Sequence, residues 1–133
     1  SFVHLERLCN LMIANFSKEK LDNIEVGIEY VLKMSKKSRV DVVIKYKSKY
    51  CLFEFSTVKS FSKLKTTYDK KRLELIIYKD MMHNYIEYPS KIICYPFIGL
   101  YEYENDKREE KFYRNNLNNI SYAYEYLKKF LLN

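Results

Sequence analysis

Arg39-Val40-Asp41-Val42-Val43-Ile44-Lys45-Tyr46-Lys47-Ser48-Lys49-Tyr50-Cys51-Leu52-Phe53-Glu54-Phe55-Ser56 is the stretch on which the fold turns. Val40 to Tyr46 and Tyr50 to Phe55 are rich in β-branched and aromatic residues, which suit a pleated, half-buried surface. If Lys47-Ser48 is a two-residue turn, Tyr46 pairs with Lys49 and the runs form an antiparallel hairpin. Along that ladder Asp41 falls opposite Glu54, and their side chains share one face of the sheet. Acids are poor strand formers, and two carboxylates set directly opposite repel each other. A divalent cation between them turns repulsion into attraction, and hard oxygen ligands suit Mg²⁺ or Mn²⁺. The plainer alternative is a solvated face on which both acids sit beside Lys45. The pairing depends on register, since a three-residue turn without a bulge sends the two acids to opposite faces.

Outward from the hairpin, Leu5, Leu8, Met12 and Phe16 mark a first helix over Phe2 to Phe16. Ser17 is placed to cap a second helix, with Leu21, Ile24, Ile28 and Val31 as its apolar stripe and Asp22, Glu25 and Glu29 on another. Lys36 to Arg39 breaks that helix. From about Ser60 to Tyr85 the pattern is again helical. Pro89-Ser90 precedes a strand over Lys91 to Tyr95, with a continuation past Pro96 to Leu100. The charged segment Glu102 to Asn116 reads as a loop or a solvated helix, and Ile120, Ala123, Leu127 and Phe130 mark a final helix. The expected fold is α/β: one domain over residues 1–133, with a mixed sheet whose central hairpin is flanked by helices.

Lys and Arg number 24 against 17 Asp and Glu, a formal charge of +7, which suits a polyanionic partner such as nucleic acid. A basic surface without a specific partner is the bland counterpart. Cys9, Cys51 and Cys94 are odd in number, contain no CxxC pair and sit among apolar neighbours. They read as buried free thiols of a reducing compartment rather than zinc ligands. No apolar run approaches the roughly 20 residues that span a bilayer, and no signal peptide is visible. The expectation is an intracellular protein, cytoplasmic or nuclear, with no membrane partner.

An Asp at a strand start, a hairpin, an acid on the next strand and a following lysine resemble the PD-(D/E)xK nuclease superfamily. The narrower pattern is similar to the histidine-containing cap-snatching endonuclease domains of segmented negative-strand RNA virus polymerases. His4 is followed by Asp22, then by Asp41 and Glu54, then by Thr67-Tyr68-Asp69-Lys70. The match spans roughly residues 4 to 78 in pattern, not in continuous identity. It departs at Val40, where a proline is usual, and at Ser56, where the superfamily often places its lysine. The chain is also shorter than those viral domains.

The resemblance implies a metal-dependent endonuclease that hydrolyses phosphodiester bonds, with RNA as substrate and one or two Mn²⁺ or Mg²⁺ ions as cofactor. It further implies a viral protein that is part of a larger polymerase. His4, Asp22, Asp41, Glu54 and the carbonyl of Phe55 would ligate metal, and His4 would bias the site toward Mn²⁺. Glu25 or Glu29 could stand in for Asp22. Asp41 and Glu54 would be catalytic through the metal. Lys70 would stabilise charge in the transition state, because Lys63, Lys70, Leu73, Ile77 and Met81 share a stripe expected to face the sheet. Lys59, Lys63, Lys65, Lys71 and Arg72 would contact nucleic acid. Each has a plainer reading: His4 as a helix residue beside Leu8, the early acids as a solvated face, any one lysine as one among many. Tyrosines at 101, 103, 122 and 124 could stack on unpaired bases, although packing is the commoner use.

Three functions compete on sequence alone. One is the endonuclease, cutting RNA or DNA. Another, favoured by Ser56, is a non-catalytic or weakly active relative that only binds nucleic acid. The last is a protein-interaction module using residues 102–116.

Overall fold

The computed structural model describes residues 2–32, 38–58, 60–84, 86, 91–100 and 120–132. Helix α1 (Phe2–Asn15) leads to a short α2 (Lys18–Asp22) and then to strands β1 (Ile24–Val31), β2 (Arg39–Tyr46) and β3 (Lys49–Val58). A 3₁₀ turn (Phe61–Lys63) opens α3 (Leu64–Met82), followed by β4 (Lys91–Leu100) and α4 (Ile120–Leu132). The strands form one mixed sheet in the order β1-β2-β3-β4, antiparallel except for the parallel pair β3 and β4. Parallel neighbours need a crossover, and α3 supplies it. The protein is a mixed α/β fold with helices on both faces of its sheet. Among the described residues no helix is long and apolar enough to cross a membrane.

The expected second helix is mostly a strand. Ser17 does cap α2, its hydroxyl accepting from the Lys20 N–H at 3.3 Å, but the helix stops at Asn23. Ile24, Val26 and Ile28 alternate as well as they follow a helical stripe, and β-branched side chains beside Gly27 favour the extended form. β1 then pairs with β2 from Ile24 opposite Tyr46 to Val31 opposite Arg39. Asp22 and Glu25 consequently do not share a helical stripe with Glu29.

The hairpin follows its expected register, with Tyr46 opposite Lys49 and Val42 opposite Phe53. Lys47 adopts φ 54°, the left-handed region that two-residue hairpin turns use. β4 runs unbroken to Leu100, and Pro96 is tolerated because β4 is an edge strand that can spare one N–H.

Three buried clusters line the sheet, the smallest made of Val58, Leu64 and Ile98. Val42, Ile44, Cys51, Phe53 and Phe55 pack under α1 (Leu5, Leu8, Met12) and α4 (Ala123, Tyr124, Leu127, Leu131). Val40, Val43, Leu52 and Ile92 pack under α3 through Leu75 and Met82. Lys49 ties α4 to β3 by donating from Nζ to the carbonyl of Phe130 at 3.1 Å, which satisfies a helix C-terminus with a positive charge. Cys51 is buried, Cys9 and Cys94 are half-buried, and all three are free thiols.

The inward stripe of α3 is rotated by about one residue from the expected one. Leu64, Leu75 and Met82 are its buried members, while Leu73 and Ile77 are 58% and 57% exposed. The stripe 64-68-71-75-78-82 therefore faces the sheet, and Lys70 is exposed. Leu75→Ala is expected to cost about 2–5 kcal/mol and Ile77→Ala only about 0.5. Urea unfolding of the two variants checks this, and equal losses would restore the other stripe.

Candidate metal centre

The regular ladder between β2 and β3 ends at Val42 and Phe53. Asp41 and Glu54 hold the next opposed positions, and there the side chains take over from the backbone. The Asp41 N–H donates to Glu54 Oε2 at 2.9 Å, and the Phe55 N–H donates to Asp41 Oδ2 at 2.9 Å. Each carboxyl group thus satisfies an amide of the facing strand that would otherwise be left without a ladder partner.

Local irregularity makes room for this exchange. Val42 and Ile44 join the core under α1 and α4, whereas Val43 and Val40 join the core under α3, so alternation along β2 slips by one residue at Asp41. Glu29 of β1 stands opposite Asp41 at φ 49°, and neither belongs to the β1–β2 pairing. A non-glycine residue in that region is uncommon and marks a locally determined backbone.

Glu54 is 3% exposed and is the one buried charged residue among those described. Burial is the largest reason that its pKa rises to about 8, and a hydrogen bond with the Asp41 carboxyl adds to the rise. The Asp41 N–H and the Lys71 ammonium pull the other way and are outweighed. The acids lie on the α3 side of the sheet, where their charges reach Lys71 and Tyr78. Lys71 Nζ donates to Glu74 Oε2 at 3.2 Å. Burial by itself would lower the Lys71 pKa, but the bond to Glu74 and the charges of Glu74, Glu54 and Asp41 raise it. Burial, then the charges of Glu54 and Glu74, raise the Tyr78 pKa.

The other expected site residues are dispersed. His4 packs against Phe97 and Phe55 at ring-centroid distances of 4.6 and 6.3 Å, on the face under α1 and away from the acids. Its pKa is lowered by burial and then by the N-terminal and Arg7 charges. Asp22 is exposed at the end of α2, and Glu25 forms a 4.0 Å ion pair with Lys45. Phe55 places its backbone beside Asp41. Lys63, Lys65, Lys70 and Arg72 are exposed on or beside α3, and Lys71 is the lysine turned toward the acids. Tyr122 is exposed, while Tyr124 is buried in the core. Lys59, Tyr101, Tyr103 and the segment 102–116 lie outside the described residues. Glu74 and Tyr78 were not expected here, although their spacing from Lys71 (i+3 and i+7) marks one helix face.

Among the described residues no three His, Cys, Asp or Glu side chains gather as a cation cage. Two adjacent carboxylates are still a workable donor set, because Mg²⁺ commonly takes one or two protein carboxylates and completes its shell with water and substrate phosphate. A buried pair that retains a proton near neutral pH is also a place where a cation can replace that proton. The chain matches no protein family, no curated protein and no solved structure.

Glu54 makes stability pH-dependent. Its folded pKa lies above the ordinary value, so the native state keeps a proton that the unfolded chain has released. That stabilisation is fully present below the ordinary pKa and is lost as pH rises to about 8. In EDTA the protein should lose up to about 5 kcal/mol across that window, and Glu54→Gln should flatten the slope. Denaturant midpoints taken at half-unit pH steps would show it. An unchanged slope in the variant would place the titrating group elsewhere.

Proposed function

We propose that this domain is a metal-dependent nuclease of PD-(D/E)xK type, cleaving phosphodiester bonds with RNA as the expected substrate. The observation that carries the reading is the contact between the Asp41 and Glu54 carboxyl groups at the open end of a hairpin ladder, with Lys71 near them on α3. The basic charge of the chain suits a polyanionic substrate.

In this reading Asp41 and Glu54 hold Mn²⁺ or Mg²⁺, which when bound supplies Lewis-acid polarisation of the phosphate and acidifies a water. Glu54 must give up its proton to do so, which makes the site pH-gated. Lys71 replaces Lys70 as the cationic residue and neutralises charge that builds on the phosphoryl oxygens. Glu74 is a positioning residue that holds the Lys71 ammonium in place. Ser56, on the same strand as Glu54, can offer a hydrogen bond but no positive charge.

A nucleic-acid-binding domain with little or no cleavage is the second reading. Two observations favour it: one oxygen of each acid is engaged by a backbone N–H, and Lys71 is engaged by Glu74.

Labelled single-stranded RNA and DNA incubated with Mn²⁺, Mg²⁺ or EDTA separate the two. The nuclease cleaves only with metal, and Asp41→Ala and Glu54→Ala abolish cleavage. Lys71→Ala lowers the rate by about 10²–10³, and Lys70→Ala changes it by less than about twofold. Salt-sensitive binding with no cleavage in either metal would leave the second reading in its place.

A further inference from the structure

Helix α3 makes most of its sheet contacts with β3 and β4 and shares a core with Val40 and Val43 of β2, so the β1–β2 end of that face lies at the margin of its cover. A cavity of about 270 Å³ opens there, lined by Glu25, Gly27, Tyr30, Val43, Lys45 and Tyr50. Its place is set by register. Val43 lies two residues beyond Asp41, roughly 6–7 Å along the strand, and Tyr30 pairs with Val40 beside Asp41.

Gly27 is in register with Val43, and a Cβ there would meet Tyr30 Cδ2 at 3.5 Å. Its φ is not positive, so the backbone does not demand glycine. The missing side chain lets the Tyr30 ring lie close over Gly27, where it forms one wall of the cavity. Tyr30 and Tyr50 are half-buried. Lys45 Nζ stands 5.6 Å from the Tyr50 ring centroid and 4.0 Å from Glu25, which puts one donor and one acceptor together. Aromatic walls with a polar edge of both kinds suit a flat heterocycle that carries its own donors and acceptors. A base held in a duplex stack cannot enter such a recess.

We infer that the Gly27–Tyr30–Tyr50 cavity is a subsite for one unpaired nucleobase of a polynucleotide whose backbone runs past Asp41 and Glu54. The inference rests on the nuclease reading for the path of the backbone, but base binding itself needs neither metal nor cleavage.

The test is fluorescence anisotropy in EDTA, using a labelled 12-nucleotide single-stranded RNA and the same oligomer made abasic. Wild type should prefer the base-containing strand by roughly 5- to 150-fold, the range for loss of one stacked base. Gly27→Leu fills the recess and Tyr30→Ala removes a wall, and both should erase the preference while the abasic strand binds as before. A preference that survives in both variants overturns the subsite. Wild-type protein that binds adenosine monophosphate but neither oligomer overturns the polynucleotide assignment. A failed nuclease reading shows differently, as wild type that never cleaves in Mn²⁺ or Mg²⁺ yet keeps the base preference and loses it in the variants.

Discussion

The exchange of hydrogen bonds between Asp41 and Glu54 across β2 and β3 is the constraint on which the candidate site depends. Two acids in the middle of hydrophobic strands are costly unless something occupies their oxygens. Here each carboxyl takes a backbone N–H from the strand opposite, so ladder and site are made from the same groups. The arrangement forces the two acids together and brings them under α3. It also raises the Glu54 pKa to about 8, chiefly because burial disfavours its charge and then because the Asp41 carboxyl bonds its protonated form.

The coverage of the sheet decides what the site can meet. α3 lies on the parallel pair β3 and β4, and its inward stripe delivers Lys71, Glu74 and Tyr78 to the edge of the helix. Of β2, Val40 and Val43 share the core under that helix. The acids therefore sit beside the core that α3 shares with β2 and β3, with Lys71 near them. The opposite face is closed by α1 and α4, and His4 is part of that closure.

What could be read from the chain followed from how few solutions each pattern allowed. The hairpin register was legible because Lys47-Ser48 is the only polar gap between two hydrophobic runs, and a one-residue slip would have turned every core side chain outward. The final helix was legible from Ala123 and Leu127. β1 was not, because Ile24, Ile28 and Val31 satisfy a helical spacing while Ile24, Val26 and Ile28 satisfy a strand spacing. Pairing with β2 decides between them, and that is a long-range fact. The face of α3 was misread for a related reason. Leu73 and Ile77 are more apolar than Lys71 and Tyr78, yet the latter pair faces the sheet because Leu64, Leu75 and Met82 anchor that stripe. The family resemblance placed His4 and Asp22 with the acids, and the packing of α1 and the early end of α2 keep them apart.

If Asp41 and Glu54 form one cation site, the Glu54 proton is its natural competitor. Titration calorimetry with Mn²⁺ at pH 7, repeated in buffers of different ionisation enthalpy, measures binding and proton release together. Binding with release of about one proton per site is expected, with loss of that release in Glu54→Gln. Mn²⁺ that gives no binding heat, or binds without releasing a proton, would contradict it.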